Sequence, residues 1–107
     1  MVIDWLYPWI PVEIEADRRI FERELISEAG AGHLLFGLTA TAIGRVDGLD
    51  DILFDLRDGR VAEVHLTWRG RTEIDSRFPR TAVFASVVQW SEGSMRPRHD
   101  EEVASAS

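Results

Sequence analysis

The chain has 107 residues, of which 45% are hydrophobic and 29% are charged, and its formal net charge is −7. This length predicts one domain with a single core, and the absence of cysteine and lysine excludes disulfides, thiolate metal sites and lysine-based covalent catalysis. The net negative charge argues against direct binding to nucleic acid and favours a protein partner with a basic surface.

Residues 1–12 form an aromatic arm in which Trp5, Tyr7 and Trp9 recur at every second position. This period suits an extended strand, which two prolines restrict to a sheet edge or a coil. The arm either anchors a partner, because Trp and Tyr dominate interface hot spots, or packs across the domain's own core. We favour the second interpretation, but we keep the three aromatic residues as partner-binding candidates.

Residues 12–29 are predicted to form the main helix, because Phe21, Leu25 and Ala29 are spaced for one helix face. A glycine-rich connector follows at 30–37. It lacks the Lys-Ser/Thr ending of a phosphate-binding loop, so we interpret His33 within it as a capping or packing residue. The charged residues on the remaining helix face are interpreted as a solvated surface: Arg18, Arg19, Glu22, Arg23, Glu24 and Glu28.

A first strand is predicted over residues 38–46, and a β-hairpin over 51–68, where apolar residues alternate on both sides of Asp58-Gly59. A three-residue loop at 57–59, a type I turn with Gly59 in the left-handed position, makes one sheet face uniformly apolar. A two-residue loop would mix the faces, because a slip of one residue reverses every side chain. The preferred register places Asp51 opposite His65 and Leu53 opposite Glu63.

This register makes His65, Asp51 and Glu63 the candidates for catalysis. A carboxylate beside an imidazole can orient a general base, although a cross-strand ion pair on a half-solvated sheet face is the interpretation we favour. Three further acids are candidates for partner binding: Asp47, Asp50 and Asp51. Their spacing lacks the calcium-binding loop pattern, and we predict neither a metal nor a cofactor.

A polar loop follows the hairpin and holds four arginines, which are candidates for binding an anion: Arg69, Arg71, Arg77 and Arg80. The alternative, which we favour, is that they neutralise neighbouring acids. A short strand at 81–84 and a helix at 87–92, capped by Ser86, come next. Residues 94–107 are polar and are expected to form a disordered tail.

The fold class is therefore predicted to be α+β. The N-terminal helix packs on a three- or four-stranded antiparallel sheet that contains the hairpin 51–68, and a short C-terminal helix follows. Residues 1–93 make the domain. No apolar run approaches the roughly 20 residues of a membrane span and no secretory signal is evident, so we expect a cytoplasmic protein without membrane contact.

The run from Asp50 to Gly70 follows the pattern D-D-x-L-F…D-G-x-x-A-x-V-H-L-T-W-x-G, and residues 32–37 precede it with G-H-x-L-x-G. Together with RFPRT and SVVQW further on, the chain resembles a group of small bacterial proteins over residues 30–92. The resemblance implies a compact fold and carries over no activity or catalytic residue. The aromatic arm and the tail lie outside it.

Three functions are consistent with these features. The first is an acidic protein-binding module, acting as an inhibitor, an immunity protein or a phage-encoded antagonist of a basic or nucleic-acid-handling target; a homodimer is compatible with it. The second is a small enzyme that uses His65 with Asp51 and Glu63 and the arginines. The third is an accessory subunit of an assembly, which an exposed aromatic arm would favour.

Overall fold

A computed structural model describes residues 2–106, so Met1 and Ser107, the first residue of the arm and the last of the expected tail, lie outside the description. Helix α1 (Glu15–Glu28) follows the first strand along the chain and packs on one face of a five-stranded antiparallel sheet. The strands lie side by side in chain order: β1 (Trp9–Pro11), β2 (Thr41–Val46), β3 (Asp51–Asp55), β4 (Val61–His65) and β5 (Arg80–Phe84). The predicted α+β class is confirmed, with one or two more strands than expected.

The chain ends in a continuous helical segment, which we call the C-terminal helix. It consists of α2 (Val87–Trp90), a π-helical turn (Ser91–Met95) and α3 (Arg96–Ala106). Ser86 begins it as predicted, because the Ser86 hydroxyl accepts a hydrogen bond from the backbone N–H of Gln89 at 3.2 Å. Residues 94–106 are therefore helical, where a disordered tail was expected.

The β3–β4 hairpin has the predicted register, and its pairs include Asp51 with His65, Leu53 with Glu63 and Phe54 with Ala62. The loop closes as expected, because the N–H of Leu56 donates to the carbonyl of Arg60 at 3.1 Å. Gly59 has a φ of +96°, but Arg57 also has a positive φ, of +68°. The loop is thus not the predicted type I turn. The Asp55 carboxylate accepts a hydrogen bond from the Arg57 N–H at 2.9 Å, and this bond stabilises the positive φ of Arg57 at the first position of the loop.

The sheet is buried on both faces. On one face, Phe21 and Leu25 of α1 pack against a cluster that includes Ile52 and Phe54. On the other face, Leu53 packs with Val61, Trp9 and two residues of the C-terminal helix, Trp90 and Met95. Because burying one large apolar side chain contributes roughly 1.5–3 kcal/mol, both coverings contribute substantially. The expectation of a half-solvated second face is wrong for this central region, because Trp9 of the aromatic arm and Trp90 and Met95 of the C-terminal helix cover it.

The aromatic arm belongs mainly to this second layer. Trp9 is 1% exposed, and its ring meets the Trp90 ring edge-on with centroids 5.1 Å apart. Trp5 lies 5.9 Å from the same ring and covers Gly44, where an added Cβ would overlap the six-membered ring of Trp5. The interpretation of an arm packed on its own core therefore describes Trp5 and Trp9.

We expect Gly44→Ala to lower the free energy of unfolding by about 1–3 kcal/mol, since an extra methyl group in a packed layer forces neighbours to move. Gly93→Ala is the matched control, because a Cβ there would meet Phe84 at an ordinary 3.6 Å. Chemical denaturation followed by tryptophan fluorescence measures both variants. Equal stabilities of the two variants would contradict the close packing of Trp5 on Gly44.

Candidate functional site

The predicted contact between Asp51 and His65 forms. The Nδ1 atom of His65 lies 2.6 Å from Oδ1 of Asp51, and the other carboxylate oxygen accepts a hydrogen bond from Arg98 at 2.7 Å. The Asp51 side chain is 12% exposed, whereas that of His65 is 56% exposed. Asp51 thus joins the hairpin to α3. Sequence reasoning missed Arg98, because it placed that residue in a disordered tail.

The third catalytic candidate, Glu63, performs a different task. One of its carboxylate oxygens accepts from the indole Nε1 of Trp90 at 2.9 Å and from the hydroxyl of Ser94. Glu63 is thereby committed to holding the C-terminal helix on the sheet. Of the three candidates, only Asp51 orients His65. Because a carboxylate accepts from Nδ1–H, Nε2 is the ring nitrogen that could exchange a proton with a substrate.

The three aspartates predicted to bind a partner have different contacts and different accessibility. Asp51 is bound by His65 and Arg98, and Asp50 accepts from the indole of Trp68 at 2.9 Å. Asp47 is exposed, and it accepts from the hydroxyl of Tyr7 at 3.2 Å. That hydrogen bond stabilises the neutral phenol and raises the pKa of Tyr7 above its usual range.

Tyr7 and Asp47 also line a groove of about 360 Å³, which we call the acidic groove. Its other wall is α3, which contributes Glu101, Glu102 and Arg98, the last paired with Asp51, and Leu49 lies in the turn between β2 and β3. Tyr7 is 52% exposed and Leu49 is 53% exposed. Of the predicted partner-binding residues, Tyr7 and Asp47 therefore share one accessible surface, while Trp9 and Asp51 are buried.

The four anion-binding candidates do not share one site, although Arg77 and Arg80 line the same groove of about 310 Å³. Arg69 pairs with Glu73 at 3.4 Å and Arg77 with Asp75 at 2.6 Å. The contacts with Arg77 lower the pKa of Asp75 to about 2. Arg80 stacks on Phe78, 5.3 Å from the ring centroid. The alternative of charge neutralisation thus describes Arg69 and Arg77, while Arg71 is exposed in the loop.

A buried carboxylate holds this arginine-bearing loop on α1. Glu28 is 0% exposed, and its two oxygens accept from the backbone N–H groups of Thr67 and Trp68 at 2.8 and 2.9 Å. One turn earlier, Glu24 accepts from the N–H of Gly70 at 3.0 Å. The pKa of Glu28 is raised to about 7, mainly because the group is buried and secondly because it makes a hydrogen bond with Glu24. The interpretation of Glu28 as part of a solvated face is wrong.

His33 is a packing residue, as interpreted from the sequence. Its Nδ1 accepts from the backbone N–H of Leu35 at 3.0 Å, and its Nε2 lies 2.8 Å from the carbonyl of Pro79. These partners require a proton on Nε2 and none on Nδ1. Within residues 2–106, no group of three or more metal-ligating side chains is close enough to hold an ion.

A groove beside α1 was not anticipated from the sequence. It has a volume of about 460 Å³ and lies between the second half of α1 and the connector, and we call it the apolar groove. Ile26, Phe36 and Leu38 line it and are 75%, 56% and 40% exposed. The sequence did contain one indication of this groove. Ile26 is a large apolar residue that lies off the helix face of Phe21 and Leu25, so it could not be buried with them.

Comparison with known proteins found no matching family model, no similar curated protein and no similar solved structure. Over the part of the chain that the structure describes, no helix combines the length and apolar character that crossing a bilayer requires.

We expect Asp51→Asn to destabilise the protein by about 1–3 kcal/mol, since an amide has one acceptor oxygen in place of the two that His65 and Arg98 use and carries no charge to pair with Arg98. His65→Ala should cost less than about 1 kcal/mol, because the imidazole is mostly solvated. Urea unfolding of both variants makes the comparison. A larger loss for His65→Ala would show that the imidazole, rather than Arg98, is the partner that matters for stability.

The stability of the protein should depend on Glu28 in a defined pH range. Because the pKa of Glu28 is raised from 4.5 to about 7 on folding, the folded state retains its proton where the unfolded state has lost it. Stability therefore falls as pH rises from 4.5 to 7, by up to about 3 kcal/mol from this one group. Glu28→Gln should remove that part of the pH dependence.

Denaturation at several pH values in this range measures the effect, and Glu92→Gln, which changes an exposed carboxylate, is the control. If the free energies of unfolding of wild type and Glu28→Gln change with pH in parallel throughout the range, the raised pKa of Glu28 is contradicted. The same slope change in the Glu92 variant would show that the effect is not specific to the buried group.

Proposed function

We propose that the protein is an acidic protein-binding module that occupies a basic surface of its target, as an inhibitor, an immunity protein or a phage-encoded antagonist does. The observation that carries this proposal is the acidic groove, whose lining brings an exposed tyrosine together with carboxylates from two distant parts of the chain and with one arginine, Arg98, that is paired with Asp51. These carboxylates belong to Asp47, Glu101 and Glu102.

The chemistry of the acidic groove favours an arginine or lysine side chain of a partner. Carboxylates bind a guanidinium group through paired hydrogen bonds, and the face of an exposed tyrosine adds a cation–π contact. Leu49 offers apolar surface for the methylene stem of such a residue. The net charge of −7 would in addition speed the encounter with a basic target.

The enzyme alternative has less support. Both oxygens of Asp51 are engaged, one by His65 and one by Arg98, and Glu63 faces Trp90 and Ser94 rather than the imidazole. The accessory-subunit alternative relied on an exposed aromatic arm, but of the three aromatic residues Trp5, Tyr7 and Trp9, only Tyr7 is more than half exposed. A protein-binding role needs neither a nucleophile nor a deep pocket and uses the surface that remains accessible.

The test is affinity capture from a lysate of the native host, or of the host that a phage would infect. We expect wild type to retain a basic protein at low salt and to lose it at higher salt, since exposed charge pairs are screened. The triple variant Asp47→Asn, Glu101→Gln, Glu102→Gln should not retain it.

The matched control carries three neutralisations elsewhere on the surface: Asp4→Asn, Glu13→Gln and Glu92→Gln. It has the same net charge as the groove variant, so it separates the groove from overall acidity. Capture by the control but not by the groove variant supports the proposal. Equal capture by both, or capture that salt does not weaken, would rule out the acidic groove as the binding surface.

A further inference from the structure

The outer side of β5 is an open edge of the sheet. This strand is the last in the sheet order, and it pairs with β4 through an unbroken register of five residue pairs. Ala82, at its middle, is exposed. An edge strand directs part of its backbone N–H and carbonyl groups away from the sheet. Within residues 2–106, no backbone hydrogen bond joins Thr81, Ala82 or Val83 to a segment other than β4, so the outer side of β5 is free to pair with another strand.

The opposite edge of the sheet is protected against such pairing. Strand β1 has three residues, and Pro11 is one of them. A very short edge strand and a proline, which has no N–H to donate, both prevent the addition of a further strand. In contrast, β5 contains neither proline nor glycine, and Thr81, Val83 and Phe84 are residue types that favour strands. Its one charge, on Arg80, stands at the first position and leaves the rest of the edge uncharged.

That charge lies beside a groove at the start of β5. The groove has a volume of about 310 Å³ and is lined by Arg77, Phe78, Arg80 and Thr81. Asp75 neutralises Arg77, whereas no carboxylate in the described part of the chain forms an ion pair with Arg80, which stacks on Phe78. A guanidinium group binds a carboxylate through paired hydrogen bonds. The edge is thus complementary to an extended segment that carries an acidic residue.

A second copy of the chain fits this edge less well. Pairing of β5 with β5 of another copy would bring the sequence RTAVF, which has no carboxylate for Arg80. Two chains that each carry a net charge of −7 also repel each other. A different protein that supplies an acidic extended segment has neither disadvantage.

We infer that the outer edge of β5 is a docking site for an extended, acidic segment of a partner protein. The segment adds a sixth strand to the sheet and places a carboxylate against Arg80. Main-chain hydrogen bonds along β5 supply affinity in this mode of recognition, and side-chain contacts supply specificity. No residue of β5 lines the acidic groove, so this docking site is separate from the surface of the proposed function.

The test uses a capped hexapeptide of alternating threonine and valine with an aspartate at each end. It is added to the isotope-labelled full-length chain and followed by NMR. We expect the amide resonances of Thr81, Ala82 and Val83 to shift, and the outward-facing amides of β5 to exchange more slowly with solvent. Arg80→Gln should weaken binding about tenfold, the loss expected for one charge-assisted hydrogen bond. Circular dichroism verifies that the variant is folded.

Arg71→Gln is the matched control, because Arg71 is exposed in the preceding loop and does not line the groove. This variant should bind the peptide as wild type does. A peptide that is N-methylated at alternate residues should not bind, because it cannot pair along the edge.

Three results would overturn the inference. The first is that the peptide leaves the resonances of β5 unchanged. The second is that a peptide with asparagine in place of aspartate binds equally well, because Arg80 would then select nothing. The third is that the same resonances shift when the concentration of the protein alone is raised, because a second copy would then be the occupant of the edge.

Discussion

The structure depends on covering a central strand that is apolar on both faces. Ile52, Leu53 and Phe54 are consecutive in β3 and are each at most 1% exposed. Since successive side chains of a strand point to opposite faces, no single layer can bury all three. Helix α1 covers one face and the C-terminal helix, with the aromatic arm, covers the other. The five-stranded sheet is therefore the middle of three layers.

Carboxylates connect these layers. Glu63 ties the sheet to the C-terminal helix, Asp51 ties the hairpin to α3, and Glu28 ties α1 to the loop after β4. Glu63 and Glu28 each accept two hydrogen bonds from a segment distant in sequence, whereas Asp51 accepts one from Arg98 and one from His65 of its own hairpin. Removing one such group leaves donors without partners, and this costs more than an exposed ion pair contributes. Part of the acidity that suggests a binding surface is therefore structural.

The elements that sequence could predict are those with strong local signals. The hairpin register followed from alternation and from the face that each register would make apolar, and the Ser86 cap followed from its spacing to Gln89. The Asp51–His65 contact was a direct consequence of the register. These predictions needed no knowledge of how distant segments pack.

The parts that failed are those set by tertiary contacts. Composition made residues 94–106 look disordered, because nothing local shows that Met95 will be buried or that Arg98 will meet Asp51. The helix predicted over residues 87–92 does not end there, because the chain continues through Gly93 in the π-helical turn. Two residues of the acidic groove, Tyr7 and Asp47, were predicted as partner-binding residues, but the second wall of the groove lies in the segment expected to be disordered.

The last helical segment also has a dynamic consequence. No residue of α3 is buried, and its contacts with the domain include a hydrogen bond from Arg98 to Asp51 and one from His99 to the carbonyl of Tyr7. A segment with few apolar contacts opens at a free energy well below that of global unfolding. The amides of α3 should thus exchange with solvent long before those of β3. One wall of the acidic groove is then a separate, low-stability unit, and a bound partner would slow its exchange by ordering it.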